Sequence, residues 1–384
     1  MLKFSYKFRL YPNKIHLQKL KYTLELSREL YNSALLHRIS AWQKARYHVT
    51  YTEQANSLVE VKQVRPEFEE VHSQVLQDVL RRLDKNFKAF FRRLKMGEKP
   101  GFPRFKGRNW YKSFCYPQSG WQFLSDRKIQ ISKIGIIRVK RHRNFPEGAR
   151  LKTLTLKKEI DRWYAIVSFE IPDREGKVAI RNAVGIDVGI DAFATLSDGT
   201  KIENPRYLGR TESKLAEAQR VFSRKRKGTK AREKARVRVA KIHRKIVNQR
   251  RDFLHKVSRY LVDTYDLIAF EDLKIKNMMQ NGNLSKSIGD CSWGRFLQYI
   301  AYKAESAGKY AIGVAPRGTS QICSRCGARV PKLLSDRVHI CNKCHIVLDR
   351  DLNASCNILR LGTSLLGFSP GEAPCVSWEQ FTIR

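Results

Sequence analysis

The stretch AVGIDVGIDAFATLSDGTKI, residues 183–202, decides the architecture of the C-terminal half. AVGIDVGID (183–191) is a short apolar run punctuated by glycine, the pattern of a buried strand. FATLSDGTKI (193–202) follows as a hairpin, with Asp198-Gly199, the favoured pair for a type I′ loop, at the turn. Inside the first run, between Gly185 and Gly189, stands Asp187. A carboxylate among apolar residues costs desolvation energy unless something compensates it, and a divalent cation does.

Working towards the C-terminus, YDLIAFEDL (265–273) reads as a second buried strand that ends on two acids, Glu271 and Asp272. CSWGRFLQYIAYKAESAGKY (291–310) reads as a helix and AIGVAP (311–316) as a strand. DRDLNASCNILRLG (349–362) is a final helix with Asp349 and Asp351 at its start. An acid on a first strand, an acid ending a later strand and an acid on the last helix form the RNase H-like layout. That layout suits phosphodiester hydrolysis with two Mg2+, in which carboxylates bridge the ions. Parity alone does not choose Glu271 over Asp272, or Asp351 over Asp349.

Between the two buried strands, residues 213–262 form one or two long helices. From 224 to 252 there are fourteen Lys/Arg against two acids, Glu233 and Asp252. Val239, Ile242, Ile246, Phe253, Val257 and Tyr260 recur at helical spacings, so the segment is a packed helix and not a floppy basic tail. A solvated surface is the competing reading of its charges.

Cys323-x-x-Cys326 and Cys341-x-x-Cys344 form the strongest local signal. Each pair turns two thiolates to one side of a knuckle, and two knuckles supply the tetrahedral set that Zn2+ prefers. Four thiolates leave no open coordination position, so such a zinc is structural. His339 and His345 flank the cluster without being read as ligands, and Cys115, Cys291, Cys356 and Cys375 read as core or surface cysteines.

The N-terminal half opens on a strand at residues 2–10, with Leu2, Phe4, Tyr6, Phe8 and Leu10 alternating with Lys3, Ser5, Lys7 and Arg9. Helical periodicity follows from Lys14 to about Arg46, through Leu17, Leu20, Leu24, Tyr31, Ala34, Leu35 and Trp42. A second helix, from about His72 to Leu94, carries Val75, Val79, Leu83, Phe87, Phe90 and Phe91. GEKPGFPRFKGR (97–108) is an irregular connector. KIQISKIGIIRVK (128–140), LKTLTLK (151–157) and WYAIVSFEI (163–171) then supply strands with which the first can close a small barrel.

Across 384 residues, 75 Lys/Arg against 36 Asp/Glu leave a net charge of +39. A field of that size strains the compact state unless a polyanion neutralises it, which makes nucleic acid the default partner. No apolar run is long enough to span a bilayer, MLKFSYKFRLYP lacks the apolar stretch of a signal peptide, and paired CxxC motifs indicate a reducing compartment. The expected location is the cytoplasm and its nucleoid, or a nucleus in a eukaryotic host.

GIDVG (185–189), AFEDL (269–273), TSQICSRCG (319–327), CNKC (341–344) and DRDLNAS (349–355) occur in that order, with KFRLYPN (7–13) and PGFPRFKG (100–107) ahead of them. Over nearly the whole chain this resembles the transposon-encoded TnpB (OrfB) proteins, relatives of the type V CRISPR effector nucleases. One departure is Ser355, where members of the family often carry a second alanine.

The resemblance implies an α+β multidomain chain. Its RuvC-like (RNase H-like) α/β nuclease domain (182–316, with the basic helical insert 213–262) carries a zinc ribbon (317–346) and a last helix (347–365). A wedge β-barrel (1–10 and 113–181), a helical recognition lobe (11–112) and a tail (366–384) complete it. It also implies an RNA-guided DNA endonuclease, monomeric with its guide RNA, that cuts double-stranded target DNA beside a short flanking motif. It selects Asp187, Glu271 and Asp351 as the catalytic Mg2+ ligands. The rivals are a guided repressor that no longer cuts, an unguided transposase and a structural RNA-binding protein.

The basic segments then acquire a role. Arg224, Arg226, Arg236, Lys241, Arg244, Lys245, Arg250 and Arg251 are expected to meet phosphates of the guide or of its duplex with the target. Arg104 and Lys106, interleaved with Trp110, Tyr111, Phe114 and Tyr116, suit stacking on unpaired bases. Tyr51 and Gln77 are the candidates for reading the flanking motif, since a Gln can pair bidentately with adenine.

Overall fold

The computed structural model describes residues 1–108, 110–172, 176–280, 282, 284–333 and 336–368, so Cys375 and most of the expected tail lie outside the described residues. The chain divides into two compact units, residues 1–173 and 174–384.

In the first unit, β1 (Leu2–Tyr11) leads into α1 (Lys14–Ala45), which starts where the Asn13 side chain accepts the His16 N–H at 2.8 Å. The short helices α2 (Tyr51–Asn56) and α3 (Leu58–Val64) precede α4 (Ser73–Lys95). Six strands follow: β2 (Ser113–Tyr116), β3 (Trp121–Ser125), β4 (Lys128–Ile131), β5 (Gly135–Lys140), β6 (Arg150–Glu159) and β7 (Arg162–Ile171). With β1 they form one antiparallel sheet in the order β2-β6-β7-β1-β5-β4-β3. β1 therefore lies at its centre, paired with β7 along nearly its whole length and with β5 at its C-terminal end.

The edge strands β2 and β3 are consecutive in the chain, joined by residues 117–120, so the sheet has to curl until its two edges approach. Among the described residues no ladder pairs β2 with β3, so the curl stops short of the closed barrel expected from the sequence. Phe8, Tyr6, Phe123, Phe145 and Phe169 stack and edge against one another in its concavity. The same core runs on into Leu20, Tyr31, Leu35, Val75, Val79 and Leu83 of α1 and α4.

The apolar stripes expected for these helices overrun the core by one or two turns. Trp42 and Phe91 are half exposed. Together with Tyr47, Phe87, Phe90 and Phe102 they line a cavity of about 350 Å3 instead of packing shut.

In the second unit, β8 (Ala183–Val188), β9 (Ala192–Leu196) and β10 (Lys201–Glu203) form an antiparallel meander. Gly199 has φ +87° whereas Asp198 does not enter the left-handed region. The turn is therefore not type I′, which needs positive φ at both central residues; the Leu196 N–H instead reaches the Thr200 carbonyl across a three-residue loop.

The helices α5 (Glu212–Arg224) and α6 (Lys230–Thr264) precede β11 (Leu267–Glu271). Beyond it come α7 (Ile275–Met278), α8 (Ser285–Cys291), α9 (Trp293–Ser306) and β12 (Tyr310–Val314). A two-stranded ribbon, β13 (Val338–Ile340) and β14 (Val347–Asp349), leads into α10 (Arg350–Ser364). The five-stranded sheet runs β10-β9-β8-β11-β12, with β11 parallel to both β8 and β12.

α6 and α9 pack Leu254, Leu261, Val262, Phe296 and Ile300 with Val184, Ile186 and Phe193. α10 lies against β8 and β11. A Cβ on Gly185 would fall 2.0 Å from the Ser355 carbonyl oxygen and 2.7 Å from the Leu359 nitrogen, so glycine is what lets this helix approach the strand. Gly185→Ala is therefore expected to cost about 3 kcal/mol or more, because the obstructing atoms are backbone and cannot rotate away. A denaturant midpoint unchanged from wild type would refute that close approach.

Candidate active site and metal centre

β8 and β11 are parallel neighbours in register, with Ile186 opposite Phe270, so Asp187 and Glu271 emerge together at the C-terminal ends of adjacent strands. In open α/β sheets that is the end where ligands bind, beside the point at which strand order reverses. The close seat of α10 brings Asp351, its second residue, to the same place. Burial pushes the Asp187 carboxyl well above the usual carboxylate range; the charges of Glu271 and Asp351 push it further, against the pull of Arg350. Burial also raises Glu271, which accepts the Thr319 hydroxyl at 2.6 Å.

The two pairs of neighbouring acids differ in their settings. Asp349 is the N-cap of α10, accepting the Asp351 and Leu352 N–H groups at 2.9 and 3.2 Å, and its other oxygen meets Lys201 at 2.7 Å. Burial opposes its ionisation, but those three donors together hold its carboxyl below the ordinary value. Asp272 is exposed and lies one residue beyond the end of β11. Asp351 faces the cluster, its Oδ1 held by the Arg350 guanidinium at 3.0–3.1 Å.

The three carboxylates are drawn together less tightly than the thiols. Among the described residues, Cys323, Cys326, Cys341 and Cys344 are the group whose ligand atoms all fall within 4.8 Å. Like charges repel, and Arg350 and Thr319 each hold one acid.

The thiol cluster has the dimensions of a single tetrahedral site. Sγ atoms lie 3.6 Å apart for Cys323–Cys344 and 3.5 Å for Cys326–Cys341, against about 3.8 Å for thiolates around one zinc. The two knuckles share one construction. Gly327 and His345, each following the second cysteine of its pair, have φ of +74° and +57°, and each N–H returns to the carbonyl of the first cysteine. His345 thus serves as a turn residue and is exposed, while His339 is fully buried in the ribbon. N–H groups of Cys344 and Lys343 draw the Cys341 thiol down from its ordinary value.

The expected nucleic-acid contacts divide. Tyr51 opens α2, and Arg81 lies over its ring at 5.5 Å; exposed Gln77 is one turn before Arg81 on α4, so the two candidates share one surface through a residue that sequence reasoning missed. Arg104 is exposed. Lys106 sits over the Tyr31 ring at 5.6 Å while Asn32 grips both its N–H and its carbonyl, so it anchors the connector to α1.

The stacking expected of the neighbouring aromatics is corrected for three of them. Phe114 and Tyr116 are 1% exposed, and burial pushes the Tyr111 phenol up to about 12. β2 turns Phe114 and Tyr116 into the core, whereas Trp110 is 79% exposed.

Arg224, Lys241, Lys245 and Arg251 on the basic helices and Arg226 in the turn between them are exposed, and Arg244 is partly so. Two other cations there are held within the protein: Arg236 chelates Glu233, and Arg250 chelates Asp290 at 2.5–2.7 Å. Tyr260, expected on the packed stripe of α6, is half exposed; the buried stripe passes instead through Leu254, Ser258 and Leu261.

The first unit carries a basic depression that the sequence reading did not find. Tyr11, Asn13, His16, Arg127, Lys128, Ile136 and Arg138 line about 380 Å3, with no carboxylate among them. Tyr11, Arg138 and Lys128 lie directly opposite one another across β1, β5 and β4, and Arg9 and Arg138 both stand over the Tyr11 ring. Like charges paired across a sheet are destabilising, so this row works against folding unless an anion covers it. Strand alternation was visible in the sequence, but the partner strands were not.

This is a mixed α/β multidomain chain with a curled antiparallel sheet in one unit and a five-stranded mixed sheet in the other. Family models described as "Helix-turn-helix domain", "Probable transposase" and "Cas12f1-like, TNB domain" match residues 1–46, 166–282 and 293–358. A Streptomyces pristinaespiralis protein named "Putative RNA-guided DNA endonuclease" is 34% identical, with 97% of this chain and 92% of the relative covered. A second, "Putative RNA-guided DNA endonuclease InsQ" of Escherichia coli K12, is 29% identical over 94% and 93%. The chain belongs to the TnpB (OrfB) family. Among solved structures, the Cas12f1–sgRNA–target DNA complex aligns with a TM-score of 0.57 at 14% identity, covering 93% of this chain and 98% of that one, which is a likeness of fold. No helix among the described residues is long and apolar enough to cross a membrane.

Proposed function

We propose that the protein is an RNA-guided, Mg2+-dependent DNA endonuclease. The carrying observation is the convergence of Asp187, Glu271 and Asp351 at one end of a sheet, close enough that the other two acids raise the proton affinity of Asp187. A self-repelling carboxylate cluster of that kind fits divalent cations. Asp187, Glu271 and Asp351 would hold two Mg2+, whose chemistry there would be to activate a water and to stabilise a leaving oxygen. The meander β8–β10 followed by parallel β11 and β12 supports an RNase H-like, RuvC-like reading of this domain, and one triad then serves both DNA strands in succession.

In this reading Arg350 limits the repulsion at Asp351, and Asp349 and Lys201 fix the end of α10 on which Asp351 rides. The four cysteines hold a structural Zn2+. The curled sheet serves as the wedge and α1–α4 as the recognition lobe, with Tyr51, Gln77 and Arg81 towards the flanking motif.

The exposed cations of α5 and α6 and the basic depression around Tyr11 are the surfaces for RNA and for its duplex with the target. Arg138→Glu combined with Lys128→Glu is expected to weaken RNA binding about tenfold at physiological salt and to flatten its salt dependence by roughly one to two released counterions. Filter binding across a salt series measures both, and an unchanged slope would remove the depression from the RNA surface.

The test of the whole reading is to sequence the RNA retained by the chain purified from its native host. One structured species with a constant scaffold and a variable end matching DNA beside the gene supports guidance. Heterogeneous fragments would favour the unguided transposase that one family description suggests.

A further inference from the structure

The first knuckle and the carboxylate cluster are joined by a short buried path. Thr319 is 5% exposed and its hydroxyl donates to Glu271 Oε1 at 2.6 Å. Its own carbonyl accepts the Asn357 side-chain amide at 2.9 Å, and the same amide reaches the Ile322 carbonyl at 2.7 Å. One turn earlier on α10, Asn353 donates to the Ile322 carbonyl at 2.8 Å and accepts the Ser324 N–H at 2.9 Å. Cys323 is the residue between those two anchored positions. Asn353 and Asn357 are at most 1% exposed, so the path excludes water. Two asparagines of the helix that carries Asp351 therefore clamp the turn segment that carries both Cys323 and Thr319.

We infer that Thr319 is a positioning residue for Glu271, fixing the carboxylate so that the lone pairs it leaves unused point to the divalent cation. The inference rests on Glu271 being a metal ligand, as proposed above. A buried hydroxyl needs some acceptor, but a carboxylate at the end of a strand has several rotamers, and this charge-assisted bond selects one of them. Hydrogen bonds of this kind to metal ligands are worth about 10–100-fold in metal affinity. The clamp also gives the thiol cluster a physical route to the carboxylates, since displacing the segment 319–324 displaces the hydroxyl.

The probe is Mn2+, titrated calorimetrically into the full chain freed of RNA, with zinc content measured in parallel. Thr319→Val keeps the shape and removes the donor. It is expected to weaken Mn2+ binding at least about tenfold with zinc content unchanged, and to raise the half-saturating Mg2+ for cleavage more than it lowers the rate at saturation. Thr319→Ser, which keeps the hydroxyl, is expected to restore most of the affinity, and this rescue separates positioning from packing.

Wild-type Mn2+ affinity in Thr319→Val, alongside lost affinity in Glu271→Gln, would overturn the positioning role and leave Glu271 as a ligand. Unchanged affinity in Glu271→Gln as well would overturn the metal reading on which it rests.

Discussion

Asp187→Ala is expected to lower DNA cleavage by about a thousandfold or more while leaving RNA and target binding nearly intact. The metal-dependent charge stabilisation at stake amounts to several kcal/mol, and about 4 kcal/mol corresponds to three orders of magnitude. The side chain carries little of the fold. Asp187 is crowded by Glu271 and Asp351, so its removal relieves repulsion instead of breaking a bond. The isosteric Asp187→Asn should therefore melt no lower than wild type in the absence of divalent ions, and its stabilisation by added Mg2+ should be much reduced. A variant that cuts at the normal rate would remove Asp187 from the triad. One that fails to bind target would show that the residue shapes the target-binding surface as well.

The second large effect is expected at the thiols. Cys323 is fully buried, and its neighbours Ile322 and Ser324 are the anchors by which the ribbon grips α10. Structural zinc contributes roughly 10–16 kcal/mol to the small domains it organises, far more than a three-residue, two-stranded ribbon can supply by itself. Cys323→Ser should lose about one zinc per chain, open residues 317–348 to proteolysis and raise the Mg2+ needed for cleavage, because the same segment carries Thr319. Metal analysis and limited proteolysis read this directly. A soluble variant with no zinc and a protease-resistant ribbon would contradict the assignment of a structural zinc site.

Much of this was legible from the chain. Asp187 was visible because an acid in an apolar run is costly, and the thiol cluster because CxxC spacing is geometric. The order of acids along the chain anticipated that three of them meet, whereas the choice among neighbours came from the TnpB resemblance. In the structure Asp349 caps α10, and Asp272 is exposed just beyond β11.

What stayed hidden depends on tertiary contacts. β2, β3 and the ribbon strands are three to five residues long, too short for a periodicity to register. Thr319 reads as one residue of a knuckle motif until its hydroxyl is seen on Glu271. The aromatics at 111–116 looked like a stacking surface because four residues of strand cannot reveal which side is inside. Arg236 and Arg250 looked like Lys245 and Arg251 until their acidic partners, three and forty residues away, were in place.

The central claim is tested most directly by cleavage of matched and unmatched DNA. The chain, purified with its own RNA, is given Mg2+ and two plasmids, one carrying the sequence of the RNA's variable end with its natural flank and one lacking it. The account predicts cutting of the matched plasmid alone, abolished by EDTA, by RNase pretreatment and by Asp187→Ala. Equal cutting of both plasmids, or cutting that survives RNase or Asp187→Ala, would contradict it.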